Sequence, residues 1–201
     1  MKKISVPDRI LLLITGLLAA YQIVVLDGGN DLATWAYTIA FGVLLIAGVL
    51  IILMGFEVLD SPTVVIISTV IPLSLSLGLI VEFLPGWTNL YLAFVVLGFL
   101  AVVVTRLTTP EKQRSLFTLV FVHGIAGVTI FLLPLFLASR GTVSIGFTLV
   151  GVGGASISAG GLLLSFLKTG KPIISQDAIL TILSPLLLLM TACFVIGFAL
   201  A

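Results

Sequence analysis

The sequence predicts an all-α, polytopic integral membrane protein with seven transmembrane helices, which form a single membrane domain over residues 1–201. Two observations predict this class. Hydrophobic residues make up 60% of the chain and charged residues only 8%, whereas a soluble domain carries about 25% charged residues. The charges also fall in short gaps between apolar stretches long enough to cross a bilayer. Because hydrocarbon offers no partner to backbone N–H and C=O groups, each stretch is expected to be a helix.

Each gap between the apolar stretches contains residues that end or begin helices. Residues 26–31, LDGGND, predict a tight turn after span one, and residues 84–87 and 139–141 predict breaks after spans three and five. The triplets at 60–62, Asp-Ser-Pro, and 109–111, Thr-Pro-Glu, place an N-cap oxygen before a proline and predict the starts of spans three and five. The predicted spans are 10–26, 32–56, 63–84, 88–105, 115–138, 143–167 and 178–200.

The basic residues predict which side of the membrane each end of the chain faces. Of the nine lysines and arginines, all but Arg140 fall on one side when successive spans alternate in direction. Cytoplasmic loops carry the excess of such residues. The N-terminus is therefore expected in the cytoplasm and Ala201 outside, in a multi-pass protein of the cell membrane. The bases on the cytoplasmic side are Lys2, Lys3, Arg9, Arg106, Lys112, Arg114, Lys168 and Lys171.

Span six contains a run of very small residues. In GVGGASISAGG, residues 151–161, nine of eleven positions carry Gly, Ala or Ser, and many small pairs lie four apart, on one helix face. Small residues let helices in lipid approach closely, which predicts that span six is the central, most enclosed helix. The same residues either pack against neighbours or line a cavity. The candidates are Gly151, Gly154, Ser156, Ser158 and Gly160, with Gly124 and Gly127 on span five.

Internal similarity predicts two repeats of three helices joined by a connector. Residues 47–72 resemble residues 159–185, and both segments end on a proline inside a span. A single connecting helix leaves both repeats in the same orientation, related by an axis along the membrane normal. The predicted repeats are 10–84 and 115–200, and the connector is span four, 88–105.

This three-plus-one-plus-three organisation resembles that of the SWEET sugar transporters. The resemblance implies a carrier assembled from two three-helix units. The paired proline-glutamine signature of that family does not occur in this sequence, and the N-terminus of that family lies outside. The resemblance is therefore one of helix organisation.

Polar residues inside the spans are the next candidates for function, because burying them in lipid is costly. His123 lies about 12 Å beyond Ser115 at about 1.5 Å per residue, and either a backbone carbonyl or a serine on the adjacent helix satisfies its ring, or it is a proton or ligand site. Glu82 lies near the outer end of span three, where an ion pair or contact with water accounts for it, and no second titratable group is evident near it. Weaker candidates are Tyr21, Gln22, Ser74 and Ser76.

Aromatic residues and rare residue types complete the sequence-based expectations. Trp35, Tyr37, Trp87 and Tyr91 are placed for an aromatic belt at the outer boundary. A single cysteine and a single histidine exclude an intramolecular disulfide, a cysteine metal cluster and a bis-histidine haem within one chain. We therefore expect no cofactor, no metal site and no nucleic-acid partner. The expected partners are the lipid bilayer and other membrane subunits or further copies of this chain.

Three functional hypotheses follow from these patterns. The first is a non-enzymatic accessory or scaffold subunit of a larger membrane complex, favoured by the short loops and the scarcity of interior charge. The alternative is a small carrier or channel for a neutral or weakly polar solute, favoured by the repeat and by span six. The third is a membrane enzyme acting on lipid or quinone, for which His123 is the only plausible base.

Overall fold

The computed structural model describes residues 4–27, 29–108, 112–168 and 175–201. Within these ranges the chain forms seven α-helices and no strand, which confirms the all-α prediction. Six of the helices are long and apolar enough to cross a membrane. A shorter apolar segment among the described residues, Ile145–Gly161, runs from a 3-10 turn into the sixth helix. The helices are α1 Val6–Val25, α2 Asp31–Met54, α3 Pro62–Phe83, α4 Thr88–Thr108, α5 Lys112–Ser139, α6 Thr148–Lys168 and α7 Gln176–Ala199.

The first helix begins four residues before the apolar stretch does. Ser5 caps α1 by accepting a hydrogen bond from the backbone N–H of Asp8, and the Asp8 carboxylate accepts from the backbone N–H of Ser5. Pro7 occupies the first turn, where a missing N–H costs nothing. Hydropathy placed the boundary at residue 10 because Asp8 and Arg9 are charged, but the cap determines where the helix starts.

The predicted turns form by their local chemistry. Gly29 has a φ of 69° and donates its N–H to the Asp27 carboxylate, after which Asn30 caps α2. Gly55, with a φ of 78°, ends α2. Pro62 takes the first position of α3 as predicted, without a side-chain cap bond from Ser61. The predicted helix start at 109–111 lies outside the described residues.

Six helices form a closed ring. Each of α1, α2, α3, α5, α6 and α7 packs against the next, and α7 packs against α1. Helix α4 lies outside this ring against α3 and α5. Buried residues make up 61% of the membrane-spanning stretch of α3 but only 11% of that of α4. We call the end of the bundle where α1 begins the Ser5 end, and the end where α7 finishes the Ala201 end.

The expectation that α6 is the central helix is wrong. Among the described residues its main contacts are with α5, α7 and the short 3-10 turn at Ile145–Phe147 that precedes it. Small residues determine how close two neighbours come, not how many neighbours surround a helix. Of the six helices long enough to cross a membrane, α3 is the most buried, and it contacts α2, α4 and α5.

Three apolar clusters hold the ring together. The largest lies toward the Ala201 end and contains bulky residues of α2, α3, α5 and α7. A second cluster, at the Ser5 end, joins α1, α2 and α7 through Leu12, Ile51 and Leu183. A third attaches α4 to the ring through Val102, which packs with Leu73 and Val122. Because lipid is as apolar as these side chains, their contribution is close van der Waals packing.

Candidate functional site

The contact between α5 and α6 is built from small residues. A methyl group at Gly151 would lie 2.7 Å from the carbonyl oxygen of Phe131, and one at Gly154 would lie 2.6 Å from Cγ2 of Ile130. Both glycines therefore bring the backbones of the two helices together, and the side chains of α5 fill the space they leave. We call this contact the α5–α6 seam, and define it by Gly127, Gly151, Gly154 and Ser158.

Ser158 fits the seam through its hydroxyl group. Its Oγ donates to the carbonyl oxygen of Gly154 at 2.8 Å, and a methyl group at Gly127 would lie 2.5 Å from this Oγ. The hydroxyl is thus satisfied within its own helix while it contacts α5. Ser156 donates in the same way to Val152 at 2.9 Å.

The other face of α6 packs against α7 by the same means. A methyl group at Gly160 would lie 2.7 Å from Cδ2 of Leu186, and one at Gly153 would lie 2.6 Å from the Phe194 ring. Of the predicted candidates, Gly160 therefore faces α7 and not α5. Gly153 belongs to the same face and was not singled out from the sequence.

Toward the Ser5 end, the seam opens. From the contact of Gly127 with Ser158, the antiparallel register places Gly124 opposite Gly161, three residues further along each helix. Both glycines are exposed, and in the part of the chain that the structure describes no atom lies within 4 Å of a methyl group at either. We call this region the open half of the seam, and define it by Gly124, Ser158, Ala159 and Gly161.

His123 lies next to the open half. Its Nδ1 is 3.0 Å from the carbonyl oxygen of Leu119. A carbonyl oxygen only accepts, so Nδ1 carries the hydrogen, and Nε2 of the neutral ring is an acceptor. The partner is a backbone carbonyl of its own helix, one of the two acceptors expected from the sequence. Arg106 of α4 is close enough to interact electrostatically with the ring.

Glu82 has a partner that the sequence did not reveal. The hydroxyl of Tyr37 on α2 donates to Oε2 of Glu82 at 2.6 Å, and Asp27 lies within electrostatic range of the same carboxyl group. The expectation that Glu82 has no titratable neighbour is therefore wrong. Tyr37 is fully buried, so it does not belong to the aromatic belt in which it was placed.

Aromatic side chains fill the ring at the Ala201 end. The Tyr37 ring occupies the space left by Gly78, where a methyl group would overlap it. It also meets the edge of Phe198 with ring centroids 5.0 Å apart. The Phe198 ring contacts that of Phe147 at 5.8 Å, and Phe147 contacts Phe83 at 5.2 Å. Rings at these separations attract each other in tilted or edge-to-face arrangements, so this cluster joins α2, α3, α7 and the 3-10 turn that precedes α6.

Hydroxyl groups join α4 to the ring of six helices. The Tyr91 hydroxyl donates to Oγ1 of Thr129 on α5 at 3.1 Å and also interacts with Ser76 on α3. Ser76 is fully buried and donates to the carbonyl oxygen of Pro72 at 2.7 Å. Three helices therefore meet at one group of hydroxyls, and Ser76, a weak candidate from the sequence, takes part in it.

The remaining polar candidates do not converge. Tyr21 is 54% exposed, whereas its neighbour Gln22 is only 2% exposed and faces the ring. Ser74 is half-buried on α3, on a different side from Ser76. Nothing in their placement joins Tyr21, Gln22 and Ser74 into one site.

Among residues 4–27, 29–108, 112–168 and 175–201, no three histidine, cysteine, aspartate or glutamate side chains are grouped as a metal site would require. Cys193 is a buried free thiol. Comparison with protein-family models, with curated proteins and with solved structures finds no match. The class defined by the fold is therefore a multi-pass helical membrane protein, and its function must be inferred from the geometry of its helices.

Proposed function

We propose that this chain is a non-enzymatic accessory or scaffold subunit embedded in a membrane, and that a transmembrane helix of its partner packs against the open half of the α5–α6 seam. The observation that supports the proposal is the pair Gly124 and Gly161. Both are exposed, and no described atom lies within 4 Å of a methyl group placed at either.

The physical argument concerns how helices associate in lipid. Association depends on close van der Waals contact, and small residues permit it by letting backbones approach. Nearer the Ala201 end, the glycines of the seam are covered by a neighbour, as Gly151 is by the Phe131 carbonyl. In the open half, Ser158, Ala159 and Gly161 are exposed. A helix from another chain would complete the packing that α5 and α6 complete for each other nearer the Ala201 end.

The test is co-purification from the native membrane in mild detergent. A methyl group at Gly124 or Gly161 meets no described atom within 4 Å. We therefore expect Gly124→Leu and Gly161→Leu to extend into the open half, to leave the amount of folded protein unchanged and to remove a co-purifying chain. Gly42→Leu is the matched control, because Gly42 on α2 also has open space around it, and it should retain the partner. A wild-type protein that purifies alone, or a partner retained by both seam variants, would contradict the proposal.

A second candidate function is a small carrier for a neutral or weakly polar solute. It is supported by the position of α4 outside the ring, where a connector between two three-helix units is expected. The helix contacts also have the symmetry expected of two repeats. If α1 is exchanged with α5, α2 with α6 and α3 with α7, every pair of neighbours in the ring becomes another pair of neighbours. The repeat itself stays a prediction.

Solute flux distinguishes the two functions. For a carrier, proteoliposomes should swell faster than empty liposomes in an iso-osmotic neutral solute such as glycerol. Tyr37→Phe, which removes the hydrogen bond to Glu82 at the Ala201 end, should increase the rate, whereas Tyr21→Phe on the exposed face of α1 should not. Equal rates with and without protein for a series of neutral solutes would count against the carrier.

A further inference from the structure

Two buried polar atoms without partners lie near the end of α4 and the start of α5. Among the described residues, Nε of Arg106 and Oγ of Ser115 are buried and make no hydrogen bond. Ser115 is only 4% exposed. Buried polar groups in proteins are nearly always paired, so each unpaired group requires an explanation. A ligand that accepts hydrogen bonds would satisfy both.

The helix register places these two residues opposite each other. Gly98 on α4 packs against Val122 on α5, since a methyl group at Gly98 would lie 3.3 Å from the valine methyls. Arg106 is two turns beyond Gly98 on the same face of α4, and Ser115 is two turns before Val122 on the same face of α5. Antiparallel neighbours keep this correspondence, so both side chains project into the same interface at the Ser5 end.

The electrostatics of this position favour an anion. Arg106 is a permanent cation. The first turn of α5, which begins at Lys112, presents backbone N–H groups that lack partners within the helix, and the helix dipole adds a partial positive charge there. Among the described residues, the Arg106 guanidinium lies within electrostatic range of the His123 ring and is opposed by no carboxylate.

We propose that the interface between Arg106 and Ser115, at the start of α5, binds a phosphate group. The guanidinium donates from Nε, the Ser115 hydroxyl donates to a second phosphate oxygen, and the first-turn N–H groups of α5 face the same charge. Phosphate accepts several hydrogen bonds at once, which matches these donors. The group belongs either to an anionic phospholipid of the leaflet at the Ser5 end or to a soluble phosphate compound.

The experiment measures ligands retained by the purified protein in native mass spectrometry. The probes are phosphatidylglycerol, phosphatidylcholine and inorganic phosphate, added separately in detergent. Retention of phosphatidylglycerol over phosphatidylcholine identifies a lipid headgroup as the source, whereas retention of inorganic phosphate without lipid preference identifies a soluble one. Arg106→Gln and Ser115→Ala should each lower the retained fraction about tenfold, as expected for one charge-assisted hydrogen bond.

Two further variants separate a built site from general positive charge. Arg9→Gln removes one exposed arginine at the same end of the bundle and should leave retention unchanged. Arg106→Lys keeps the charge but loses the Nε donor, so it should retain less ligand than the wild type and more than Arg106→Gln. If Arg9→Gln weakens binding as much as Arg106→Gln, or if none of the three probes is retained by the wild type, the proposal is wrong. Should Arg106→Gln fail to fold, Ser115→Ala against Arg9→Gln decides the same question.

Discussion

The two halves of the α5–α6 seam have the same kinds of residue and opposite surroundings. Toward the Ala201 end, Gly151 and Gly154 lie against the backbone and a side chain of α5, with no room for a methyl group. Toward the Ser5 end, no described atom lies within 4 Å of a methyl group placed at Gly124 or at Gly161. The difference teaches that a small residue in a membrane helix marks close packing of two helices only where a neighbouring helix lies against it. Elsewhere it leaves room for a partner.

The largest expected effect is at the closed half. Gly151→Ala should lower the free energy of unfolding by about 1–3 kcal/mol, because overfilling a packed contact costs that much and the nearest atom is the Phe131 backbone oxygen, which cannot rotate away. The measurement is an SDS titration in mixed micelles followed by tryptophan fluorescence. An unchanged midpoint would mean that α5 and α6 are not in close contact there.

The hydrogen bond between Tyr37 and Glu82 lies far from the seam, and its effect on stability can be compared with that of Gly151. Tyr37→Phe leaves the half-buried Glu82 carboxylate without its hydroxyl donor and should cost about 1–3 kcal/mol, the range for losing a hydrogen bond to a charged group. The same titration measures it. Glu82→Gln keeps an acceptor for Tyr37 and should cost less. Because this contact lies on other helices, its cost should add to that of Gly151→Ala, and a clear departure from additivity would show that the two regions are coupled.

At the boundary between the two halves, the expected effect is smaller. Gly127→Ala places a methyl group 2.5 Å from Oγ of Ser158, but that hydroxyl can rotate at the loss of its bond to Gly154. The cost should be about 0.5–1.5 kcal/mol, the net value of one hydrogen bond. Ser158→Ala removes the clashing atom. Adding Gly127→Ala to Ser158→Ala should therefore cost much less stability than Gly127→Ala costs in the wild type. A double variant as unstable as the sum of the two single variants would contradict this geometry.

The smallest effect, and one of opposite sign, is expected in the open half. Gly124→Ala should stabilise the purified protein by up to about 1 kcal/mol, because alanine is the better helix former and nothing obstructs the methyl group. The SDS titration measures this change against Gly151→Ala as the matched substitution. A loss of stability at Gly124 as large as that at Gly151 would remove the distinction between the two halves.

The fold class followed from the sequence because hydrocarbon leaves the chain so few choices. Long apolar stretches must be helices, and the described helices bear this out. The start of α1 was misplaced because its capping box uses two polar residues, Ser5 and Asp8, that hydropathy assigns to the loop. The position of α6 was misjudged because small residues report on the distance to a neighbour and carry no information about the number of neighbours.

Contacts between distant residues could not be predicted in the same way. Tyr37 and Glu82 are separated by 45 positions, and their bond depends on the notch at Gly78, which one glycine among twenty does not identify. The proposed phosphate site between Arg106 and Ser115 likewise depends on the register between α4 and α5. That register becomes visible only once Gly98 is seen against Val122. Polar residues thus indicated candidates, and the packing of helices decided which of them meet.

The position of α4 has a consequence for how the chain could be assembled. Helix α4 has no place in the ring. The contacts of α3 with α5 and of α1 with α7 therefore form without the chain connection that α4 provides. They are in effect the two faces of an interface between separate halves. A gene cut between α3 and α4 should therefore still yield an intact bundle when both fragments are made in one cell.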